Sequence, residues 1–94
     1  MELDELLVNF RNQIDTIDVE IIYLLSRRFE LVKQIGNIKK DCWAKALQSK
    51  RWEEVLENLY SEAEDKWVSK QLVKEMWTSI HNEALKIEEQ DSAA

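Results

Sequence analysis

Over its first forty positions the chain places an apolar residue every three or four residues, at Leu3, Leu7, Phe10, Ile14, Ile17, Ile21 and Leu24, then at Leu31, Ile35 and Ile38. That is the period of one face of an α-helix, and nothing in the stretch breaks a helix more strongly than Gly36. The pattern predicts one helix from residue 4 to about 41, which at ~1.5 Å per residue is roughly 55 Å long. A helix of that length cannot fold back on itself. The rest of the chain has too few residues to cover its stripe, so a second copy of the helix is expected against it, in an intertwined homodimer.

The remainder supports an all-α reading. The chain has one Gly and no Pro, so the usual punctuation of sheets and tight turns is missing although 45% of its residues are hydrophobic. Ninety-four residues make one domain, 1–94, with a thin core of its own. Residues 42 to 48 read as a connection. Ser49 can cap a short second helix with Glu53 and Glu54 in its first turn and Trp52, Val55, Leu56, Leu59 and Ala63 inward. Ser69 can cap a third helix to about Glu89, with Leu72, Val73, Met76, Trp77, Ile80, Ala84 and Ile87 inward and a frayed tail beyond. The expected architecture is three helices, long, short and medium.

A net charge of −6 argues against nucleic-acid binding, which needs a basic face. The single cysteine, Cys42, cannot form an internal disulfide, and the chain shows no signal-like segment, no 18-residue apolar run and no lipidation motif. These features predict a soluble cytoplasmic protein with no membrane partner.

Against this background a few charges stand where apolar residues are expected. Arg28 falls midway between Leu24 and Leu31, a guanidinium in a line of Leu and Ile, and once desolvated it needs an anion, supplied by a protein carboxylate or by a ligand. Lys39 lies three helical turns further on, roughly 16 Å along the axis. It can converge with Arg28 on one anion or be a solvated helix end. Arg11, at the edge of the stripe beside Phe10, is roughly 42 Å from Lys39 on a straight helix. It can join them only if two first helices pack antiparallel, and otherwise it is a surface arginine. Glu88 stands four after Ala84 on the apolar side of the third helix, where a carboxyl should be protonated or paired unless the helix has frayed. His81 has no metal-ligand partners at usable spacing and reads as structural or exposed.

Taken together these positions resemble the all-helical chorismate mutase family through nearly the whole chain. Phe10-Arg11-x-x-Ile14-x-x-Ile17-Asp18 is similar to the family's opening motif, Leu24-Leu25-Ser26-Arg27-Arg28-x-Glu30-Leu31 to its middle and Gly36-x-x-Lys39 to its close. Arg11, Arg28 and Lys39 fall on the family's anion-binding positions, Arg51 on its second helix, and Glu88 on its acid-or-amide position. Two departures stand out. Where the family commonly carries Asp-x-x-Arg-Glu, this chain reads Gln48-Ser49-Lys50-Arg51-Trp52, so the hydroxyl-contacting Glu is missing. Either Glu53 replaces it through a local shift, or Trp52 closes the pocket, excluding water, and another group meets the hydroxyl. A core role for Trp52 is the competing reading. Where a Ser often precedes the third-helix acid, this chain has Ala84, which offers no polar contact.

The resemblance implies an isomerase that converts chorismate to prephenate in aromatic amino-acid biosynthesis, the shikimate pathway, without metal or cofactor. Arg11 from one chain and Arg28 from the other would clamp the two carboxylates. Lys39 and a protonated Glu88 would meet the ether oxygen from opposite sides, with Arg51 at the ring end and Trp52 and Ala84 lining the site. Isochorismate pyruvate lyases and aminodeoxychorismate mutases are alternatives of the same resemblance. A catalytically degenerate regulatory or partner-binding dimer is a further one.

Overall fold

The computed structural model describes residues 2–38 and 43–92. Among them the regular elements are three α-helices, α1 (Leu3–Ile38), α2 (Trp43–Ala63) and α3 (Lys70–Ser92), and there is no strand. The chain divides into two compact units, Met1–Leu31 and Val32–Ala94.

The first unit is α1 up to Leu31. Asp4 and Glu5 in the opening turn suit the positive end of the helix dipole, and the Leu6 amide donates to the Glu2 carbonyl at 3.1 Å. None of the described residues of this unit is buried. Its stripe is open: Leu7, Phe10, Ile14, Ile17, Ile21 and Leu24 are each between 41% and 58% exposed. Such a contiguous apolar face is rarely left in water by a stable protein.

The second unit packs the last turns of α1 with α2 and α3. Val32, Gly36, Val73 and Ala84 are buried in it. On α2 the inward residues are Trp52, Val55, Leu56, Leu59 and Ala63, all half-buried. On α3 they are Val73, Trp77, Ile80, Ala84 and Ile87, one 3-4 stripe as expected. Leu72 and Met76, expected inward, are exposed, since they lie a hundred degrees round the helix from Val73 and Trp77. The same holds on α1. Val32 and Gly36 are buried, whereas Leu31, Ile35 and Ile38 of the long apolar stripe face out.

Helix α2 begins at Trp43, so residues 43–48 are helical and Ser49 is not its cap. The physical reason is propensity. Ala44, Lys45, Ala46, Leu47 and Gln48 are all strong helix formers, and an available capping hydroxyl does not stop a helix that has nothing to break it.

The α2–α3 connection is tight. The Lys66 amide donates to the Ala63 carbonyl at 3.1 Å, and Asp65 and Trp67 adopt left-handed backbone angles, φ 62° and 64°. Both are unusual for residues with a side chain, and Trp67 costs more than Asp65, whose short carboxyl tolerates that region. Ser69 then caps α3 as expected. Its Oγ accepts from the Leu72 amide at 3.1 Å, and its carbonyl accepts from Val73 at 3.0 Å. Replacing Ser69 by Ala leaves the Leu72 donor without that acceptor. The variant is expected to lose about 1 kcal/mol, read as a lower thermal midpoint at fixed protein concentration. An unchanged midpoint would show that water replaces the cap without loss.

Candidate functional site

The site residues named from sequence distribute over both units. In the first, Arg11 is exposed and Arg28 half-buried, with its Nη1 atom shielded from solvent. Arg28 keeps its place four after Leu24 and three before Leu31 on one helix face, and is half-buried like its neighbours Leu25 and Phe29. A desolvated guanidinium must be met by acceptors, and Arg28 is a partnered group in the structure. Arg11 and Arg28 are seventeen residues apart on one continuous helix, an axial separation of roughly 25 Å. One chain cannot bring both to a small dicarboxylate. Lys39 lies outside the described residues.

The second unit holds Arg51 and Trp52 on α2 and His81, Ala84 and Glu88 on α3. Positions 81, 84 and 88 recur at three and four residues and so share one side of α3. Ala84 is buried at 6% exposure, and Glu88 is half-buried and partnered. Because α3 continues to Ser92, Glu88 belongs to the body of the helix, and the expected fraying does not begin there. Its backbone is pressed against α1. A Cβ built on Gly36 would stand 3.1 Å from Glu88 Cα, 3.4 Å from its carbonyl oxygen and 3.5 Å from its Cβ.

Trp52 is the α2 counterpart. Its ring stacks on His81 with centroids 4.4 Å apart and planes inclined by 25°. Trp52 is thus a half-buried indole fixed to α3 by an aromatic contact, one turn from Ala84. Arg51 and Glu53, on either side of it, are exposed. Further along, the Lys70 ammonium lies 4.8 Å from the Tyr60 ring centre and adds a second α2–α3 contact.

Sequence reasoning missed both contacts. A glycine in mid-helix carries no sign of what it approaches, although its low helix propensity was a clue that something else favours it. A lone His without metal partners gave no sign of a ring on the preceding helix, twenty-nine residues earlier. The stack is open to a double-mutant cycle. Trp52→Ala is expected to cost about 2 kcal/mol for a half-buried indole, and His81→Ala less. The pair should couple by ~0.5–1.5 kcal/mol, measured by thermal or urea unfolding at fixed concentration. Additive losses would mean that the rings touch without stabilising one another.

Among the described residues no group of His, Cys, Asp and Glu side chains is arranged to hold a metal ion, and no helix is long and apolar enough to cross a membrane. What the second unit offers is a helix-borne carboxyl at a close α1–α3 contact, a buried small residue one turn before it, and an aromatic wall beside Arg51; the first unit carries the shielded guanidinium of Arg28. No curated protein and no solved structure matches the chain. A family model described as chorismate mutase type II matches residues 10–89, a span that contains Arg11, Arg28, Lys39, Arg51, Trp52, Ala84 and Glu88.

Proposed function

The chain belongs to the chorismate mutase type II family, and from that premise we infer that it is an isomerase that rearranges chorismate to prephenate, acting as a homodimer with sites shared between subunits. The observation that carries the reading is the family match over residues 10–89; Arg11, Arg28, Lys39 and Arg51, the cations that the sequence resemblance puts on anion-binding positions, lie within that span.

The reaction is intramolecular. One C–O bond breaks as one C–C bond forms, and no atom or electron enters or leaves. The protein's contribution is to hold the flexible dicarboxylate in its compact reactive conformer and to stabilise negative charge building on the ether oxygen. Arg28 and Arg11 of the partner subunit bind the two carboxylates, as planar bidentate donors do well. Lys39 faces the ether oxygen. Glu88, when protonated, donates to the same oxygen from the other side. Arg51 engages the ring end, Trp52 excludes water there, and Ala84 leaves room for the ligand. The homodimer is supported by the open stripe of the first unit and by the axial separation of Arg11 and Arg28. A cytoplasmic enzyme of one domain, 1–94, placed in aromatic amino-acid biosynthesis, is the corresponding assignment.

The test is to incubate the purified chain with chorismate and, separately, with isochorismate, and to assay prephenate, salicylate and pyruvate. Prephenate from chorismate is expected. Salicylate with pyruvate from isochorismate would make it a lyase on the same fold, and no product from either would leave a binding module.

A further inference from the structure

We propose that Gly36 is a positioning residue for Glu88, the missing side chain of α1 setting where the carboxyl of α3 stands. The proposal rests on the chorismate mutase reading, in which Glu88 meets the reacting oxygen, and assigns a role to a residue outside the set of charges and walls.

Gly36 is buried in α1, two residues before Ile38, the last described residue of that helix, and its φ is not in the left-handed region. Backbone freedom is therefore not why glycine stands there. Its backbone is helical, and at a helical position Ala would be the better helix former. What glycine permits is the approach of α3. The atoms that a Cβ at position 36 would meet are Glu88 Cα at 3.1 Å, its carbonyl oxygen at 3.4 Å and its Cβ at 3.5 Å. Two of the three belong to the backbone, so a change of rotamer cannot relieve the contact. The relief is a shift of α3 away from α1 at residue 88 by several tenths of an ångström.

A displacement of the Glu88 Cα carries the carboxyl with it. Ala84, one turn earlier on α3, is also buried. Donor geometry at a reacting atom is sensitive to such movements, a misplacement of ~1 Å costing on the order of a hundredfold in rate. A smaller shift should therefore cost about tenfold.

The experiment compares wild type, Gly36→Ala, Glu88→Ala and the double variant, using chorismate as substrate and circular dichroism to confirm folding. Gly36→Ala is expected to lower kcat about tenfold with KM within about twofold, because the anion-binding cations are untouched. In the Glu88→Ala background the same substitution should cost less than about twofold, since the group it displaces is gone. Equal losses in the two backgrounds, or a Gly36→Ala enzyme with wild-type kcat, would overturn the proposal. Glu88→Asp is a second arm that leaves the α1–α3 contact unaltered and so does not depend on Gly36→Ala folding. Drawing the carboxyl back by one methylene should lower kcat by at least about tenfold, and an unaffected Glu88→Asp enzyme would show that placement is not critical. A wild type that turns over no chorismate would overturn the functional reading together with this inference, whereas an active wild type indifferent to these substitutions would overturn the inference alone.

Discussion

Mixing an Arg11→Ala homodimer with a Lys39→Ala homodimer, each reduced on the order of 10²- to 10³-fold, restores activity once subunits exchange. The expectation comes from geometry within one chain. Arg11 and Arg28 stand roughly 25 Å apart along a continuous helix, far beyond the span of a small dicarboxylate. If both serve one ligand, they come from different subunits. A mixed dimer then concentrates both lesions in one site and leaves the other intact. Random exchange makes half of the dimers mixed, each with one of two sites restored, so recovery should approach about a quarter of the wild-type rate per chain. Exchange is followed by mass, with one parent tagged. A mixture that stays inactive after mixed dimers are seen would mean that Arg11 acts in cis or not at all, and the open stripe of α1 would need another explanation.

That stripe shows how unevenly the sequence revealed the fold. The long first helix was legible because a 3-4 apolar period over ten positions has no other local interpretation. So was the Ser69 cap, where a hydroxyl directly precedes the apolar run and has no competing helix former before it. The start of α2 was not, because Ser49 has the right chemistry for a cap while residues 44–48 are strong helix formers, and propensity won. The stripe on α1 also misdirects about packing within the chain. Its conspicuous residues Leu31, Ile35 and Ile38 are exposed, and the last turns use Val32 and Gly36 instead. A periodic pattern identifies an apolar face but not the partner that covers it.

The candidate site divides in the same way. Arg28 and Glu88 were visible as charges out of pattern, since a charge in an apolar register must be met by something. Gly36 and Trp52 were named from the sequence, but their contacts were not legible, because a contact is relational. Gly36 lies against Glu88 and Trp52 stacks on His81, and no local signal in the sequence couples positions so far apart. Nor did it mark the left-handed Asp65 and Trp67, at which Gly or Asn would have announced the turn.

The proposed role of Glu88 as a hydrogen-bond donor predicts a pH dependence of the rate whose direction can be fixed beforehand. The residue lies in the body of α3, half-buried, with its backbone held against Gly36. In the proposed mechanism it donates a hydrogen bond to the ether oxygen as negative charge develops there. A carboxyl can do this only while it carries its proton, and the ionised form would place a negative charge where the transition state builds one. Catalytic efficiency is therefore expected to be highest at acid pH and to fall as the carboxyl ionises, with a slope approaching tenfold per pH unit for one proton per site. Glu88→Gln supplies an amide N–H at every pH in nearly the same volume. Its profile should be flat where that of wild type falls, and above the fall the variant should be the faster enzyme. Both are assayed from about pH 4.5 to 9, across the range where circular dichroism shows them folded, since carboxylates elsewhere on this acidic chain also titrate towards the lower end. A wild-type profile without the fall, or a Glu88→Gln profile that falls as steeply, would take the proton on Glu88 out of the mechanism and leave Lys39 as the donor to the ether oxygen.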